Sequence, residues 1–113
     1  MMKKIALYAF KGEKMCFMHV LLNAIDMSSK GIEVKIVIEG DAVKLLEKFV
    51  ELENPLFSKA IRMGLIDCVC KACSAKMGVF EYNEKSGIRI SGEMNGHPPM
   101  EAYIKDGFEI ITM

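Results

Sequence analysis

The chain has 113 residues, enough to bury a core without disulfide staples, and we expect a single domain over residues 1–113. A hydrophobic fraction of 51% and a charged fraction of 27% are typical of a folded globular protein and argue against disorder. Fifteen basic residues balance fifteen acidic ones. Nucleic acid is therefore not expected as a partner, because phosphate binding needs a basic excess or stripe.

The first 38 residues predict a strand, a helix and a second strand. The apolar run over 4–10 is typical of a strand that is covered on both faces. Apolar residues at helical spacing predict a helix over 14–29, which Gly31 can end. The β-branched run over 32–38, bounded by glycines, predicts the second strand.

The middle of the chain predicts two helices and a third strand. Asp41 is a candidate N-cap for a helix over 42–52. Pro55 then opens a shorter helix over 56–63, since proline suits the first turn of a helix. The residues of 65–70 predict the third strand.

The last third of the chain predicts two short strands and two helices. A helical pattern over 71–77 follows the third strand, and 79–87 is expected to be a turn or irregular. A fourth strand is predicted over 88–90. After a loop, a helix opens at one of the two prolines of 98–99 and runs to about residue 105. The strand over 108–112 closes the chain.

The alternation of strands and helices predicts a parallel sheet between helices, that is, a three-layer α/β/α sandwich around five strands. Reactive groups in such sheets gather at the carboxyl ends of the strands. The segments expected at that edge are Lys11-Gly12, Glu39-Gly40-Asp41, Cys70-Lys71 and the loop 92–99.

The longest uncharged apolar stretch, 15–25, is too short to cross a bilayer, and the start lacks a cleavage site for secretion. We therefore expect a cytoplasmic protein with no membrane partner. Thiols stay reduced there, so the four cysteines are expected to be reactive or metal-binding rather than paired in disulfides.

Three of the four cysteines form the one concentrated chemical feature of the chain, Cys68, Cys70 and Cys73. Cys70 falls where a strand ends and a helix begins, so helix-start N–H groups and the neighbouring Lys71 are expected to favour its thiolate. Cys73 follows in a Cys-x-x-Cys arrangement and can act as a resolving thiol. Cys68 is expected on the same side of the strand as Cys70, deeper in the sheet.

Two other interpretations of the cysteines stay open. Free cysteine often packs as a small hydrophobe, which is the expectation for Cys16 on the first helix. Alternatively, Cys68, Cys70 and Cys73 supply three soft metal ligands, with the fourth from Cys16, His19 or His97. The usual second ligand pair is missing from the sequence, so no metal and no cofactor are the primary expectation.

Four residues outside the cysteine cluster are candidates for binding at the same edge. His97 lies in the loop after the fourth strand and can serve as a base for the thiol. Lys71 adds positive charge beside Cys70. Gly12 can approach an anion. Asp41 is expected first to cap a helix and only second to act as a site residue.

Two segments carry a resemblance to a known family. Residues 67–79, DCVCKACSAKMGV, look like a strand, cysteine, helix and glycine unit, and 102–112, AYIKDGFEIIT, look like a closing helix, glycine and strand. With its order of elements, the chain resembles the DsrE/DsrF-like family of small intracellular sulfur-relay proteins.

The resemblance implies a three-layer α/β/α fold and homo-oligomers, either trimers or hexamers. It also implies that Cys70 corresponds to the cysteine that accepts a persulfide in active members, with sulfur-donor and sulfur-acceptor proteins as partners. The chain departs from the single-cysteine pattern because it also has Cys68 and Cys73.

Sulfur-relay, sulfurtransferase-like carriage of a persulfide on Cys70 is the first functional hypothesis. Whether the protein turns over a substrate as an enzyme is left open. The alternatives are an oligomeric module that binds a small ligand or metal without turnover, and a small redox protein that uses Cys70 and Cys73 as a dithiol.

Overall fold

A computed structural model describes residues 3–113 of the chain. Five strands form the sheet: β1 Lys4–Ala9, β2 Glu33–Ile38, β3 Ile66–Cys70, β4 Ile90–Ser91 and β5 Glu109–Thr112. The α-helices are α1 Lys14–Ser29, α2 Leu45–Glu51, α3 Pro55–Arg62, α4 Lys71–Lys76, α5 Phe80–Lys85 and α6 Met100–Lys105, and a 3₁₀ helix spans Gly40–Lys44.

All neighbouring strands are parallel, in the order β4-β3-β2-β1-β5. From β1 to β4 the chain moves across the sheet in one direction, and for β5 it returns to the far side of β1. Because right-handed crossovers in one direction place their helices on the same face, α1 to α5 cover one face and α6 covers the other. The predicted α/β/α sandwich is therefore confirmed, with one layer much thinner than the other.

The core has two parts, one on each face of the sheet. The larger one contains an aromatic group in which the Phe17 and Phe49 rings meet edge to face at 5.2 Å and Phe57 packs against both. The smaller one lies under α6, where Tyr103 and Phe108 meet edge to face at 6.1 Å. These aromatic contacts join α1, α2 and α3 on one face and tie α6 to Phe108, directly before β5, on the other.

The structure corrects three predicted elements. The helix predicted over 42–52 is a 3₁₀ turn followed by the shorter α2, and Asp41 lies inside that turn instead of capping a helix. The segment 79–87, predicted to be irregular, contains α5. The fourth strand has only two residues, Ile90 and Ser91, and begins where the predicted strand ends.

Within residues 3–113 no helix is both long and apolar enough to cross a membrane.

Candidate functional site

Cys70 is the last residue of β3 and the N-cap of α4. Its sulfur accepts a hydrogen bond from the backbone N–H of Cys73 at 3.4 Å, which brings the second cysteine of the pair back toward the first. The Ser74 hydroxyl donates to the carbonyl oxygen of Cys70 at 2.6 Å. The strand end and the first turn of α4 are thus held together at the position of both thiols.

A tight turn delivers His97 to the same place. The backbones of Met94 and His97 exchange two hydrogen bonds of 2.9 Å, and the two residues between them, Asn95 and Gly96, have φ of 49° and 94°. Two positive φ values in sequence are what an Asn-Gly hairpin turn requires. The Gly96 carbonyl also accepts from the N–H of Ala72 at 2.8 Å, so the turn is fastened to the start of α4.

Glu39 reaches the site from the end of β2. Its backbone N–H donates to the carbonyl of Ala9 at 2.9 Å, and the next residue, Gly40, has φ of 55° with Phe10 so close that a Cβ would lie 2.9 Å from the Phe10 carbonyl oxygen. The backbone therefore leaves the strand sharply here, and the Glu39 carboxylate contacts the His97 ring.

The side chains of Glu39, Cys70, Cys73 and His97 converge on one point. The Nδ1 atom of His97 lies 3.1 Å from the Cys70 sulfur, 3.7 Å from the Cys73 sulfur and 3.1 Å from Oε1 of Glu39. One ligand-type atom from each of the four residues lies within 4.8 Å of the others. The residue Cys70 is fully buried, Cys73 is partly exposed, and 36% of the His97 side chain is accessible.

Burial governs the ionisation of two members of the cluster, Cys70 and Glu39. It raises the pKa of the Cys70 thiol to about 12, and the Cys73 N–H that donates to the sulfur offsets only part of the shift. Burial also raises the pKa of the Glu39 carboxyl, against an opposing effect of His97. The prediction that the helix start favours the Cys70 thiolate is wrong, because desolvation outweighs what the first turn of the six-residue α4 offers.

Cys68 lies away from this cluster. Its thiol contacts the Tyr103 hydroxyl at 3.3 Å in the core under α6, whereas Cys70 packs in the larger core on the other face. Cys70 is the last residue of β3 and the chain turns into α4 directly after it, so the alternation of the strand does not extend to the Cys70 side chain. The expectation that Cys68 and Cys70 point to the same side is wrong. Among the described residues, Cys68 lies outside the cluster that contains Cys70 and Cys73, so the predicted set of three cysteine ligands does not form.

The other predicted binding residues lie around the cluster. Lys71 is exposed, and its side chain packs against Gly92 in the loop that carries His97. Gly12 and Asp41 meet each other at the neighbouring strand ends, where a Cβ on Gly12 would come within 2.8 Å of the Asp41 side chain. Neither Lys71, Gly12 nor Asp41 belongs to the converging set.

Glu39 is the member of the cluster that was not predicted as a site residue. The strand-end rule marks its segment, but the acidic residue singled out there from the sequence is Asp41. Glu39 and His97 are 58 positions apart, and they meet because β2 and β4 lie on the two sides of β3 in the sheet. Cys16 and His19, the other suggested fourth ligands, are not part of the cluster.

Comparison with known proteins identifies two archaeal relatives. Uncharacterized protein MJ0733 of Methanocaldococcus jannaschii is 32% identical over 96 residues, which cover 85% of this chain and 78% of that protein. The chain belongs to the family of this archaeal protein. An uncharacterized protein of Archaeoglobus fulgidus is 35% identical over 51 residues, 45% of this chain and 84% of that protein.

A solved structure shares the fold. BT1422 of Bacteroides thetaiotaomicron, a conserved protein of unknown function, matches with a TM-score of 0.77 and 19% identity, covering 98% of this chain and 95% of that one. No protein-family model matches the chain. The names of these relatives state no activity, so function has to be argued from the site itself.

Proposed function

We propose that the protein carries sulfur as a persulfide on the thiol pair Cys70 and Cys73. The observation that carries the proposal is the contact of both sulfurs with one imidazole nitrogen, at 3.1 Å and 3.7 Å from Nδ1 of His97. A nucleophile within reach of a base is the general signature of covalent group transfer. The resemblance to the DsrE/DsrF-like family supports sulfur as the group that is transferred.

Exposure suggests different tasks for the two thiols. Cys73 keeps part of its surface accessible, so a donor persulfide can reach it, whereas Cys70 is fully buried. Sulfur that moves from Cys73 to Cys70 is then shielded from other thiols in solution. Cys70 keeps the acceptor role expected from the sequence, and the partial exposure of Cys73 supports a role for Cys73 as the point of entry.

Each transfer balances without an added oxidant or reductant. The Cys73 sulfur attacks the outer sulfur of a donor R–S–SH; the donor's S–S bond breaks, a new S–S bond forms on Cys73, and R–S⁻ leaves. The proton of the Cys73 thiol passes to Nδ1 of His97 and then to R–S⁻. The same exchange then moves the outer sulfur to Cys70 and restores the Cys73 thiol.

His97 has a specific task in this scheme. Because the pKa of the Cys70 thiol is raised to about 12 by burial, little thiolate exists at neutral pH, and the thiol has to lose its proton during the reaction. His97 is the base in contact with the sulfur. His97→Gln is expected to slow sulfur loading by about 10²-fold, the lower end of what a positioned base contributes.

Sulfur loading of the reduced, chelator-treated full chain tests the proposal. The protein is incubated with glutathione persulfide and followed by intact mass and peptide mapping. We expect one added sulfur on Cys70, slower loading of Cys73→Ser, and sulfur that is lost faster to a reductant in Cys70→Ser. Cys16→Ser is the matched control and should load like the native chain.

Two results would overturn the proposal. One is folded protein with free thiols that gains no sulfur on either cysteine. The other is prompt formation of a disulfide between Cys70 and Cys73 with no retained sulfur, which would indicate a dithiol redox protein instead.

A further inference from the structure

The imidazole of His97 has more partners than one nitrogen can serve. An imidazole nitrogen carries either one proton or one lone pair, in a single direction in the ring plane. Around Nδ1 lie two sulfurs and a carboxylate oxygen, all within 3.7 Å. A hydrogen bond at Nδ1 accounts for one of these three contacts. It does not explain why the other two ligand-type atoms also lie so near.

The spacing of the ligand atoms is close to that of a tetrahedral metal centre. Zinc bonds of about 2.0–2.3 Å place tetrahedral ligand atoms roughly 3.3–3.8 Å apart. The three distances to Nδ1 are 3.1, 3.7 and 3.1 Å, and all four atoms lie within 4.8 Å of one another. Small side-chain adjustments would bring the set to the ideal spacing.

The ligand types select the class of ion. Two thiols and an imidazole suit a thiophilic divalent cation, whereas Mg²⁺ and Ca²⁺ prefer sites made of oxygen ligands. Two thiolates and a carboxylate also supply the negative charge that compensates a divalent ion. The carboxylate is well shielded, since 12% of the Glu39 side chain is accessible, and the accessible part of His97 leaves a way in.

The backbone holds three of the ligands before any ion arrives. Cys70 ends a central strand, Glu39 is tied to β1 through its N–H, and the turn carrying His97 is fastened to α4 by the bond from Ala72 to Gly96. Buried Tyr8 adds support from below, because its hydroxyl donates to the carbonyl of Pro98 at 3.0 Å. Preorganisation of this kind reduces the cost of binding.

We propose that Glu39, Cys70, Cys73 and His97 together bind one thiophilic divalent cation of the zinc class. The site is new relative to the three-cysteine set suggested by the sequence, since it excludes Cys68 and includes Glu39. A consequence that rests on the proposed sulfur chemistry is competition: a bound cation occupies both sulfurs, so it has to leave before sulfur is loaded.

Titration of the reduced full chain with Zn²⁺ and Co²⁺ tests the site. We expect one equivalent to bind, and the Co²⁺ form to show the sulfur-to-metal charge-transfer and intense visible bands of a tetrahedral site with two thiolates. Cys70→Ser and Cys73→Ser should weaken binding by more than the roughly 10–100-fold that loss of an outer partner costs. Glu39→Gln and His97→Asn should also weaken it, while Cys16→Ser and Cys68→Ser should not.

The native Co²⁺ spectrum keeps the proposal testable if a variant fails to fold. Absent charge-transfer bands, an octahedral spectrum or binding that survives the loss of both thiols would overturn the metal site. Sulfur loading of the metal-free protein is measured in a separate experiment, by the increase in intact mass. Loading with no metal bound refutes this site alone, and metal bound with no loading refutes the sulfur proposal alone.

Discussion

The buried thiol of Cys70 is the residue on which the chemistry depends, and its environment makes it unreactive on its own. A thiol with a pKa near 12 has on the order of 10⁻⁴ of its population as thiolate at pH 8. The fully buried side chain is also closed to reagents. Reactivity at Cys70 therefore has to come from a neighbouring group.

Alkylation kinetics on chelator-treated protein check this directly. At pH 7–8 we expect iodoacetamide to modify Cys73 well before Cys70, because Cys73 is partly exposed and the Cys70 thiol is held protonated by burial. The Cys70 rate should keep rising with pH beyond the range in which an ordinary cysteine levels off. Peptide mapping that finds Cys70 modified first at pH 7 would contradict the assignment.

Gly96 sets the position of His97. With φ of 94°, a Cβ there would lie 2.9 Å from the Cβ of Ala72, whereas Gly87, with φ of 88°, has open space around it. Gly87→Ala should cost about 1–2 kcal/mol of unfolding free energy, for backbone strain alone. Gly96→Ala should cost roughly 1–3 kcal/mol more, for overpacking. Urea unfolding of both variants gives the difference, and equal losses would show that the close approach to α4 is unimportant.

At the scale of elements, the sequence predicts most strands and helices because apolar runs and glycine stops mark them locally. The helix over Lys14–Ser29 is confirmed with its predicted ends. The failure at 79–87 has a tertiary cause: the buried Asn83 side chain donates to Val43 and Ser74, so distant parts of the chain stabilise α5. The six residues of α5 are mostly polar, and their sequence alone does not predict these hydrogen bonds.

The same bonds predict a large effect for a small change. Asn83→Ala should lower the unfolding free energy by about 1–3 kcal/mol, because the Val43 carbonyl and Ser74 hydroxyl lose a buried donor. Asn23→Ala is the control, since exposed Asn23 bonds only within its own helix, and it should change stability by about 0.5 kcal/mol or less. Equal effects in urea unfolding would mean that the α5 contact carries no special stability.

The candidate site was only partly predictable, again for reasons of distance along the chain. Cys70, Cys73 and His97 follow from the strand-end rule. Glu39 could be assigned to the site only from the structure, because its carboxylate becomes a site residue through its contact with His97. The pKa of Cys70 was predicted in the wrong direction, because the helix start is visible in the sequence and the extent of burial is not.

For the whole molecule, the uneven layering places most of the apolar stabilisation on one face of the sheet. Phe49→Ala, at the centre of the aromatic group with Phe17 and Phe57, should cost about 3–5 kcal/mol in urea unfolding. The neighbouring Val50, which is 52% exposed, is the control, and Val50→Ala should stay within roughly 0.5 kcal/mol. A small loss for Phe49→Ala would contradict the assignment of the main core to this face.

The DsrE/DsrF-like resemblance and the trimers or hexamers that it implies stay predictions for this chain. The family shown by the comparison is that of the archaeal relative, and the fold is shared with the Bacteroides protein. The site belongs to the carboxyl edge of the sheet, where β2, β3 and the loop after β4 each contribute a side chain. Because the four side chains converge there, we expect the chemistry to depend on the assembled edge and not on one cysteine.

Peptide-resolved mass spectrometry of the metal-free chain after exposure to a persulfide donor tests whether the four side chains act together. We expect the added sulfur on Cys70, reached through Cys73, and slower loading when His97 or Glu39, whose carboxylate contacts the His97 ring, is replaced by an amide side chain. Sulfur spread evenly over all four cysteines, or loading that ignores both replacements, would show that the four side chains do not act as one site.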